Sequence, residues 1–418
     1  MKVLVVGGGG REHALVWKLK QDKRIKEIHC APGNGGIAGI AKCVDIKATD
    51  IDKIAAYAKE ERFDLVLVAP DDPLAMGLVD ILEVMGIRAF GPNKAAAAIE
   101  ASKVFAKDLM KKYGIPTADY AVFTEYGKAL EYVRAARLPL VVKADGLALG
   151  KGVFICATLQ EAEAALDGIM VKKAFTSAGD RVVVEEYITG PEVSLLTFCD
   201  GRTAVPMVSA QDHKRVFDGD KGPNTGGMGV FAPTPKYTEE LAAIVENEII
   251  QATVQAMAGE GRPFKGVLYF GLMLTEDGPK VLEYNARFGD PETQPILPLL
   301  KTELLDILNA VIDGRLHELN IEWSDEACAC VVAASGGYPG SYEKGKEITG
   351  LGDLDDDVIA FHAGTQQKEG KYYTSGGRVL GITAKGRSIE EARKKAYANM
   401  EKIHFEGMQY RKDIGIKK

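Results

Sequence analysis

The segment Val281–Glu292 combines the residue types that a metal-bound polyphosphate requires. Its first half alternates apolar and polar residues as a strand does, so Glu283 and Asn285 are predicted to point to the same side. Arg287 continues that side if the strand extends to it. Carboxylate and amide oxygens are ligands that Mg²⁺ accepts, and a guanidinium group binds phosphate through two hydrogen bonds. The pattern therefore predicts a magnesium–polyphosphate site, and a surface strand that ends in a polar turn is the alternative.

A glycine-rich turn, Gly7–Gly10, follows the first predicted strand and precedes a predicted helix. Backbone N–H groups at a helix N-terminus form an anion site. The turn is not a dinucleotide fingerprint, because Glu12 or His13 stands where the third glycine is required and no acidic residue ends the second strand. A monophosphate or a sugar phosphate is therefore the predicted ligand, and a simple tight turn is the alternative.

Lys143, at the end of another predicted strand, precedes a glycine-rich loop that runs to Gly152. Such a loop can close over a triphosphate with its backbone N–H groups, and its residues Gly150 and Lys151 are predicted contacts. The spacing of a P-loop is absent. A plain hairpin is the alternative. Lys103, at a predicted helix start, is either a second phosphate lysine or an ordinary solvated one.

Two acidic residues end the apolar strand Val182–Glu186, and Glu192 follows after a short turn. An extended hinge over Glu185–Ile188 can offer backbone N–H and C=O groups to the edge of an adenine. Glu192 can accept hydrogen bonds from both hydroxyls of a ribose. Solvated acidic residues at a strand end are the alternative.

The segment Gln211–Gly229 is too polar and too rich in glycine to form a core, which predicts a long functional loop. Lys214 and Arg215 can hold anions, and Asp212 can hold an amine. The turn Thr225–Gly229 can bring backbone close to a ligand. His213 is a candidate base, although a loop histidine is more often only solvated.

At 418 residues the chain is too long for one core and predicts two to four domains. A net charge of −7 disfavours a surface that recruits nucleic acid or anionic membrane. No apolar run approaches the roughly 20 residues of a membrane span. The first strand begins at Lys2 without a small-residue cleavage site, so no signal peptide is expected. The six cysteines form no CxxC pair, which predicts buried thiols in a reducing cytoplasm and no zinc site.

Strands and helices alternate over residues 1 to about 100, which predicts a parallel sheet with helices on both faces. The predicted strands of this unit are Lys2–Val6, Glu27–Ala31, Asp64–Ala69 and Ala89–Phe90, and the predicted helices are Glu12–Lys20, Ile51–Glu60 and Pro73–Met85. A helix over Lys94–Tyr113 is expected to bend near Glu100–Ser102. A small α+β unit is predicted to follow, with strands Leu140–Lys143, Val153–Cys156 and Arg181–Glu186 and a helix Leu159–Ile169. Later predicted strands are Glu192–Cys199, Ala204–Val208, Gly266–Thr275, Lys280–Tyr284 and Cys328–Ala334, with helices near 238–258, 302–312 and 388–403.

Five sequence motifs occur in this chain together and in a fixed order. They are GGGGREH at Gly7–His13, PGNGG at Pro32–Gly36, KADGLALGKG at Lys143–Gly152, QDHKRVFDGDKGPNTGGMG at Gln211–Gly229 and EYNARFGDPE at Glu283–Glu292. The combination resembles the ATP-grasp superfamily of carboxylate–amine ligases and, within it, the phosphoribosylamine–glycine ligase (glycinamide ribonucleotide synthetase) family. The resemblance covers essentially the whole chain, and the last two segments are the most specific.

This resemblance implies an α/β and α+β multidomain fold. It has an N-terminal parallel α/β (pre-ATP-grasp) domain, a two-lobed ATP-grasp core and a small C-terminal mixed α/β domain. The implied divisions are 1–101 for the sugar-phosphate domain, 102–190 for the small lobe with its linker helix, 191–325 for the large lobe and 326–418 for the C-terminal domain. The implied enzyme is a single-function cytoplasmic ligase of de novo purine synthesis. It is expected to be a monomer or a weak dimer that binds neither nucleic acid nor membrane.

The implied reaction joins glycine to 5-phosphoribosylamine through a glycyl phosphate and consumes ATP with Mg²⁺ or Mn²⁺. By resemblance, Glu283 and Asn285 hold the metal, and Lys103, Lys143 and Arg287 hold phosphate charge. The other implied nucleotide contacts are Gly150, Lys151, Glu185, Glu186, Ile188 and Glu192. The implied substrate contacts are Gly8, Gly9, Gly10, Asn34, Gly35, Asp212, Lys214, Thr225, Gly226 and Arg287, with Asp212 on the ammonium of glycine and Lys214 or Arg287 on its carboxylate.

The chain departs from the family pattern at two places. Asp71 stands where the family usually has glutamate after the third strand, which leaves the role of this acid open. The strand Gly266–Thr275 lacks the acid that many ATP-grasp enzymes carry there, with Gly271 near its place, so Glu283 and Asn285 would be nearly the whole protein share of the metal site. The alternatives are another ATP-grasp ligase of nucleotide synthesis, a nucleotide-sensing protein without turnover and a dinucleotide-dependent reductase.

Overall fold

The computed structural model describes residues 1–147 and 152–416. The first hundred residues form a parallel five-stranded sheet in the order β3-β2-β1-β4-β5, as the alternation of strands and helices predicts. Its strands are β1 (Lys2–Gly7), β2 (Glu27–Pro32), β3 (Lys42–Cys43), β4 (Leu65–Val68) and β5 (Ala89–Phe90). The helices up to the next unit are α1 (Gly10–Leu19), α2 (Ile51–Glu60), α3 (Asp71–Met76), α4 (Leu78–Val84), α5 (Lys94–Ala101) and α6 (Lys103–Tyr113).

The prediction of one helix over Pro73–Met85 is wrong. The helix begins two residues earlier, at Asp71, and it is interrupted at Gly77. Gly77 has φ +98°, a left-handed conformation that ends α3, and its N–H is bonded to the carbonyls of Pro73 and Leu74. Glycine adopts this conformation without a steric penalty, so an apolar helical pattern does not by itself exclude a break. The predicted bend before α6 is confirmed, because Ser102 is extended and caps α6.

A four-stranded antiparallel sheet in the order β6-β9-β7-β8 forms the next unit and has its own apolar core. Its elements are β6 (Tyr120–Phe123), α7 (Tyr126–Ala135), β7 (Leu140–Ala144), β8 (Val153–Cys156), α8 (Leu159–Leu166) and β9 (Val182–Glu186). The predicted α-helix to Ile169 is too long, because one turn of π-helix, Asp167–Val171, takes over after Leu166.

A second four-stranded sheet, in the order β11-β10-β16-β17, faces the first across a cleft. Its strands are β10 (Glu192–Asp200), β11 (Ala204–Pro206), β16 (Lys265–Thr275) and β17 (Gly278–Asn285), and α9 (Glu239–Ile244), α10 (Ala252–Gly259), α11 (Thr293–Ile296) and α12 (Leu304–Asp313) accompany it. A π-helical stretch, Val245–Gln251, joins α9 to α10. The polar segment predicted as one long loop contains short strands instead, β12 (Gln211–Asp212), β13 (Arg215–Phe217), β14 (Lys221–Asn224) and β15 (Gly229–Ala232).

The C-terminal sheet has the order β12-β15-β18-β23-β20, so it includes two strands of this polar segment. The remaining elements are β18 (Ala327–Ser335), β19 (Glu347–Ile348), β20 (Val358–His362), β21 (Thr365–Lys368), β22 (Lys371–Thr374), β23 (Arg378–Gly386), α13 (Ile389–Met400) and β24 (Met408–Gln409). Pairing between β15 and β18 has a consequence for the site. The residues just before β15 are held by a sheet whose strands β18, β20 and β23 all lie between residues 327 and 386.

One apolar core runs through the parallel sheet, the second four-stranded sheet and the C-terminal sheet, and its members include Leu15, Phe198 and Phe361. The cysteines are free thiols, and all are buried except the half-buried Cys43. Within residues 1–147 and 152–416, no helix is both long and apolar enough to cross a bilayer.

The imidazole of His13 connects α1 to the C-terminal sheet without carrying a charge. Its Nδ1 accepts a hydrogen bond of 2.7 Å from the backbone N–H of His362, and burial, aided by the His362 ring, lowers the pKa of His13 to about 3. An unfolded histidine binds its proton near pH 6.5. Between these two values the unfolded chain binds more protons than the folded one, so the free energy of unfolding decreases as the pH falls, by up to about 1.4 kcal/mol per pH unit.

We therefore expect a His13→Gln variant to lose less stability than the wild-type protein between pH 7 and pH 5. The measurement is the midpoint of urea unfolding at both pH values. His317→Gln is the control, because the His317 side chain is 62% exposed. An equal loss of stability in wild-type and His13→Gln proteins would contradict the prediction.

Candidate active site

Two adjoining cavities, of about 1110 Å³ and about 230 Å³, lie between the two four-stranded sheets. Residues from four separate motifs line both of them: Lys143, Val153, Glu185, Asp212, Lys214, Asn224, Leu282 and Glu283. The predicted phosphate lysine, hinge, polar segment and metal motif therefore meet in one cleft.

One end of the larger cavity is an apolar slot that ends at the predicted hinge. Val141 lies opposite Ile155 on β8 and opposite Glu185 on β9, so these three side chains share a face of the sheet. Met273 and Leu282 line the same cavity from the facing sheet. Glu186, Ile188 and Glu192 lie along its rim. A flat aromatic base fits between two such apolar walls, with its polar edge toward the hinge.

Glu185 is buried, and its side chain bonds two lysines instead of facing solvent. Its Oε2 lies 2.9 Å from Nζ of Lys143 and 3.1 Å from Nζ of Lys107. Its Oε1 is buried and has no hydrogen-bond partner in the described structure. An unpartnered buried oxygen is costly, so this atom marks a place where a bound ligand would donate a hydrogen bond.

The sequence reasoning missed Lys107, although α6 carries a signal for it. The buried residues of this helix are Val104, Ala106, Leu109, Met110 and Lys107 itself. A lysine on the buried face of an amphipathic helix requires a charged or polar partner, and this signal could have identified Lys107. Lys103 was proposed as a phosphate lysine only from its position at the start of the helix. Lys103 lines the smaller cavity, and its Nζ donates to the carbonyl of Gly146 at 2.9 Å.

Glu283 is a charged carboxylate on β17 that faces three lysines. The ammonium group of Lys214 lies 3.4 Å from its Oε1. Lys214 first, and then Lys143 and Lys103, outweigh burial and lower the pKa of Glu283 to about 2. The carboxylate is therefore ionised at any physiological pH, as a metal ligand must be.

Asn285 shares the side of β17 with Glu283, and its Oδ1 accepts a hydrogen bond of 3.1 Å from Arg287. The donor set of one ionised carboxylate and one amide oxygen fits a hard cation such as Mg²⁺. No group of three or more His, Cys, Asp or Glu side chains suited to a metal occurs among residues 1–147 and 152–416. Two protein ligands fit a cation that takes its other ligands from a polyphosphate and water.

Arg287 lies beyond the end of β17, which stops at Asn285, so the condition under which it would continue the side of Glu283 and Asn285 is not met. Its guanidinium group nevertheless reaches the same cavity, where it bonds Glu100 Oε1 at 3.0 Å. Burial raises the pKa of Glu100 to about 7, although Arg287 opposes the shift. Asp71 also lines this cavity, and despite its burial Arg287 and Arg11 lower its pKa. Glu100 was not predicted, because nothing in the helix α5 indicates which strand it faces.

Asp212 and Glu292 form a pair of carboxylates beside the smaller cavity. Burial and the neighbouring Glu292 raise the pKa of Asp212 well above its usual range, against the opposing charges of Lys214 and Arg378. Lys214 lies 3.6 Å from Glu192 as well as beside Glu283, and despite burial these acids raise its pKa. A half-buried carboxylate with a raised pKa and a carboxylate neighbour is a place where a bound cation would be stabilised.

The turn at Thr225–Gly227 is held from the C-terminal sheet. Thr225 Oγ1 donates to the carbonyl of Lys214 at 2.8 Å, and Arg378 donates to the carbonyl of Gly226 at 2.6 Å and to that of Asp290 at 2.8 Å. Both Thr225 and Gly226 line the smaller cavity. Arg378 was missed because it is distant in sequence and carries no local signal.

The glycine-rich turn lies next to Asp290, whose Oδ2 is 3.1 Å from the place of a Cβ on Gly9. The N–H of Gly9 donates to Glu12 Oε2 at 2.6 Å, so a carboxylate of the chain itself takes one donor of the predicted anion site. The amide of Asn34 is also engaged, because it donates to the carbonyl of Gly8 at 2.9 Å and to that of His362 at 2.8 Å. Gly35 N–H bonds the carbonyl of Thr365. The structure thus joins Gly8, Gly9, Gly10, Asn34 and Gly35 in one place, with the C-terminal sheet beside them.

The predicted contacts Gly150 and Lys151 lie outside the described residues.

Gly227 has φ +114°, and a Cβ there would lie 2.7 Å from Asp212 Oδ1 and would also collide with Pro291. A Gly227→Ala variant should therefore be strained by about 1–3 kcal/mol and should displace the Asp212 carboxylate. We expect a lower thermal midpoint and weaker binding of whichever ligand Asp212 holds. Gly219→Ala is the control, because it also has positive φ, at +70°, but its Cβ would meet only Lys221, at 3.8 Å. Equal ligand affinities in the two variants would contradict the prediction.

Models of the phosphoribosylglycinamide synthetase family match nearly the whole chain. The N domain matches residues 1–100, the ATP-grasp (A) domain residues 101–293 and the C domain residues 328–417. The chain is 52% identical to a phosphoribosylamine–glycine ligase of Caldanaerobacter subterraneus subsp. tengcongensis, over 99% of both chains. The crystal structure of phosphoribosylamine–glycine ligase from Thermotoga maritima is similar with a TM-score of 0.86 at 35% identity, and the match covers 99% of this chain and 100% of that one.

A more distant likeness shows a shared fold only. The biotin carboxylase domain of 2-oxoglutarate carboxylase from Hydrogenobacter thermophilus, solved with MgADP and bicarbonate, matches with a TM-score of 0.72 at 14% identity over 98% of this chain and 91% of that one.

Proposed function

The chain belongs to the phosphoribosylglycinamide synthetase family, and from this premise we propose how its cleft carries out the reaction of the family. It is an ATP-dependent phosphoribosylamine–glycine ligase of purine biosynthesis. It joins glycine to 5-phosphoribosylamine and releases glycinamide ribonucleotide, ADP and phosphate. The single observation that carries the assignment of roles is the meeting of the lysines, Glu283, Asn285 and the Asp212–Glu292 pair in one cleft.

The chemistry requires an activated carboxylate. An oxygen of glycine's carboxylate attacks the γ-phosphorus of ATP, ADP leaves, and glycyl phosphate forms. The amine of phosphoribosylamine then attacks the acyl carbon, phosphate leaves, and the amine loses a proton. Phosphoryl transfer depends mainly on positioning and on neutralisation of charge. Among the basic side chains that line the smaller cavity, we assign this charge to Lys103, Lys143, Lys214 and Arg287.

We assign the nucleotide to the larger cavity. Adenine would lie in the apolar slot, its edge against the backbone of the Glu185–Ile188 hinge and near the unpartnered Glu185 Oε1. Ribose would bond Glu192. Lys143 and Lys103, which line the smaller cavity next to Glu283, would hold the phosphates, and Gly150 and Lys151 remain proposed phosphate contacts.

Glu283 and Asn285 would hold Mg²⁺ or Mn²⁺. The bound cation would neutralise charge on the phosphates of ATP during transfer. The support from this chain is the ionised state of Glu283 and the hard oxygen of Asn285 on the same side of β17.

Glycine would bind in the smaller cavity with its ammonium on Asp212 and Glu292 and its carboxylate toward Lys214 or Arg287. The raised pKa of Asp212 supports this placement, because an ammonium group supplies the positive charge that the carboxylate pair lacks. The turns Gly8–Gly10 and Asn34–Gly36 would meet the sugar phosphate, and Thr225 and Gly226 would bring backbone against the substrate. The turns Gly8–Gly10 and Asn34–Gly36 pack together beside Asp290, which lines the smaller cavity.

The four-unit division at residues 101, 190 and 325 is part of the proposal. So are a cytoplasmic location and a monomeric or weakly dimeric state without nucleic-acid or membrane partners. The net charge of −7 supports small-molecule substrates bound by a local cluster of basic groups rather than by the whole surface.

Release of ADP by the purified protein tests the function. We expect rapid release with ATP, Mg²⁺, glycine and freshly generated phosphoribosylamine together, and little release when either glycine or phosphoribosylamine is omitted. Equal release in the absence of glycine would indicate an ATPase or a ligase for another acid. Replacement of glycine by formate or bicarbonate separates this reaction from those of other ATP-grasp ligases.

A further inference from the structure

The buried ammonium group of Lys107 has no part in the roles assigned above. Its side chain comes from α6, is 3% exposed and borders the smaller cavity. Nζ is 3.1 Å from Glu185 Oε2, and it donates to Thr117 Oγ1 at 2.8 Å and to the carbonyl of Ala118 at 3.3 Å. All three donor directions of the ammonium are thus directed to oxygen atoms, so the position of the group is fixed.

Lys107 and Lys143 share a single carboxylate oxygen. Both ammonium groups lie within 3.1 Å of Glu185 Oε2, and Lys143 also donates to the carbonyl of Leu282 at 3.1 Å. Two lysines and one glutamate carry a net charge of +1. Without Lys107, the pair of Lys143 and Glu185 would be neutral, and Glu185 would be free to turn fully toward Lys143.

We propose that Lys107 is a positioning residue for Lys143. It holds the carboxylate of Glu185 and leaves the cluster of Lys107, Lys143 and Glu185 with the net positive charge that the phosphates of ATP meet. The proposal rests on the proposed nucleotide site. Lys107 itself does not have to touch the nucleotide, because its effect acts through the carboxylate that it shares.

The charge of Lys107 is itself sensitive to pH. Burial lowers the pKa of Lys107 to about 8, Glu185 opposes this shift, and Lys143 adds to it. The groups that face it are Glu185 and Glu186 on β9, Lys143 on β7, and the hydroxyl of Thr117, the carbonyl of Ala118 and the ring of Tyr120, whose centroid is 5.6 Å away. The cluster therefore carries its extra positive charge below about pH 8 and loses it above that pH.

The test compares Lys107→Met, Lys107→Arg and Lys112→Met, with the dissociation constants of a non-hydrolysable ATP analogue and of adenosine measured by calorimetry. Lys112 is on the same helix, but its side chain is 62% exposed and pairs with Glu260, so its variant is the matched control. We expect Lys107→Met to weaken the ATP analogue about tenfold to a hundredfold and adenosine much less, because the lost charge acts on the phosphates. Arginine at this position should restore tight binding.

A pH series from 7 to 9 supplies a second readout. The wild-type protein should bind the ATP analogue more weakly as Lys107 loses its proton. Lys107→Arg should lack this change because arginine stays charged, and Lys107→Met should lack it because no charge remains to be lost.

An unchanged affinity in Lys107→Met, or an equal loss for adenosine and the ATP analogue, would overturn the proposal and indicate a merely structural lysine. If Lys107→Met does not fold, identical pH dependence in the wild-type and Lys107→Arg proteins would overturn it. Failure of the wild-type protein to bind the ATP analogue would instead contradict the proposed nucleotide site.

Discussion

Replacement of Glu283 by glutamine should reduce turnover about a hundredfold or more, because the variant lacks the ionised oxygen that would hold the metal. The fold should persist, since the side chain is 36% exposed in the cleft and glutamine has the same shape. The substitution also removes the carboxylate that Lys214, Lys143 and Lys103 share, so their positive charges stay available to the phosphates. The affinity for ATP should therefore decrease less than turnover. Asn285→Ala should reduce turnover to a similar extent, because it removes the second oxygen and one of the hydrogen-bond partners of Arg287.

The measurement is the rate of ADP release at millimolar Mg²⁺, with circular dichroism as a check of folding. Glu192→Gln is the matched control, because Glu192 contacts the same lysine, at 3.6 Å, but lies on β10 rather than β17. It should raise the KM for ATP moderately and leave most of the turnover. Near-normal turnover in Glu283→Gln would rule out the metal assignment.

An Asp212→Asn variant should show a KM for glycine raised about 30-fold or more, with the KM for ATP nearly unchanged. Loss of one partner of a buried charged hydrogen bond costs roughly 2–5 kcal/mol. Because burial and Glu292 raise the pKa of Asp212, the free carboxyl must lose a proton before it can pair with an ammonium group. The kcat/KM for glycine should consequently rise with pH in the wild-type enzyme, and the asparagine variant should lack this part of the rise.

Steady-state kinetics with glycine and ATP varied separately provide the test. Asp218→Asn is the matched control, since it changes the same residue type in the same polar segment, where its carboxylate bonds the backbone N–H of Lys412 at 2.8 Å. A raised KM for ATP together with an unchanged KM for glycine would place Asp212 in the nucleotide site instead.

Sequence patterns were sufficient for the elements that depend on local interactions. The parallel sheet, the bounds of helix α2 and the break before α6 follow from patterns within a few tens of residues, and the family follows from five motifs in order along the chain. The shared side of Glu283 and Asn285 was also predictable, because alternation along a strand places these two residues on one side wherever that strand lies. The prediction of one helix over Pro73–Met85 failed because a single residue, Gly77 with its positive φ, changes the backbone locally.

Which distant charged groups lie together depends on the tertiary fold. Glu185 was predicted for its backbone, yet its carboxylate binds Lys143 and Lys107, which come from different elements. Glu100 became a partner of Arg287 because α5 packs beside the end of β17, and Arg378 reaches the turn at Gly226 because β15 pairs with β18. Electrostatic energies depend on distance and burial, and neither quantity can be read from separation along the chain. The same reason explains why the residue types at the site were predictable and their protonation states were not.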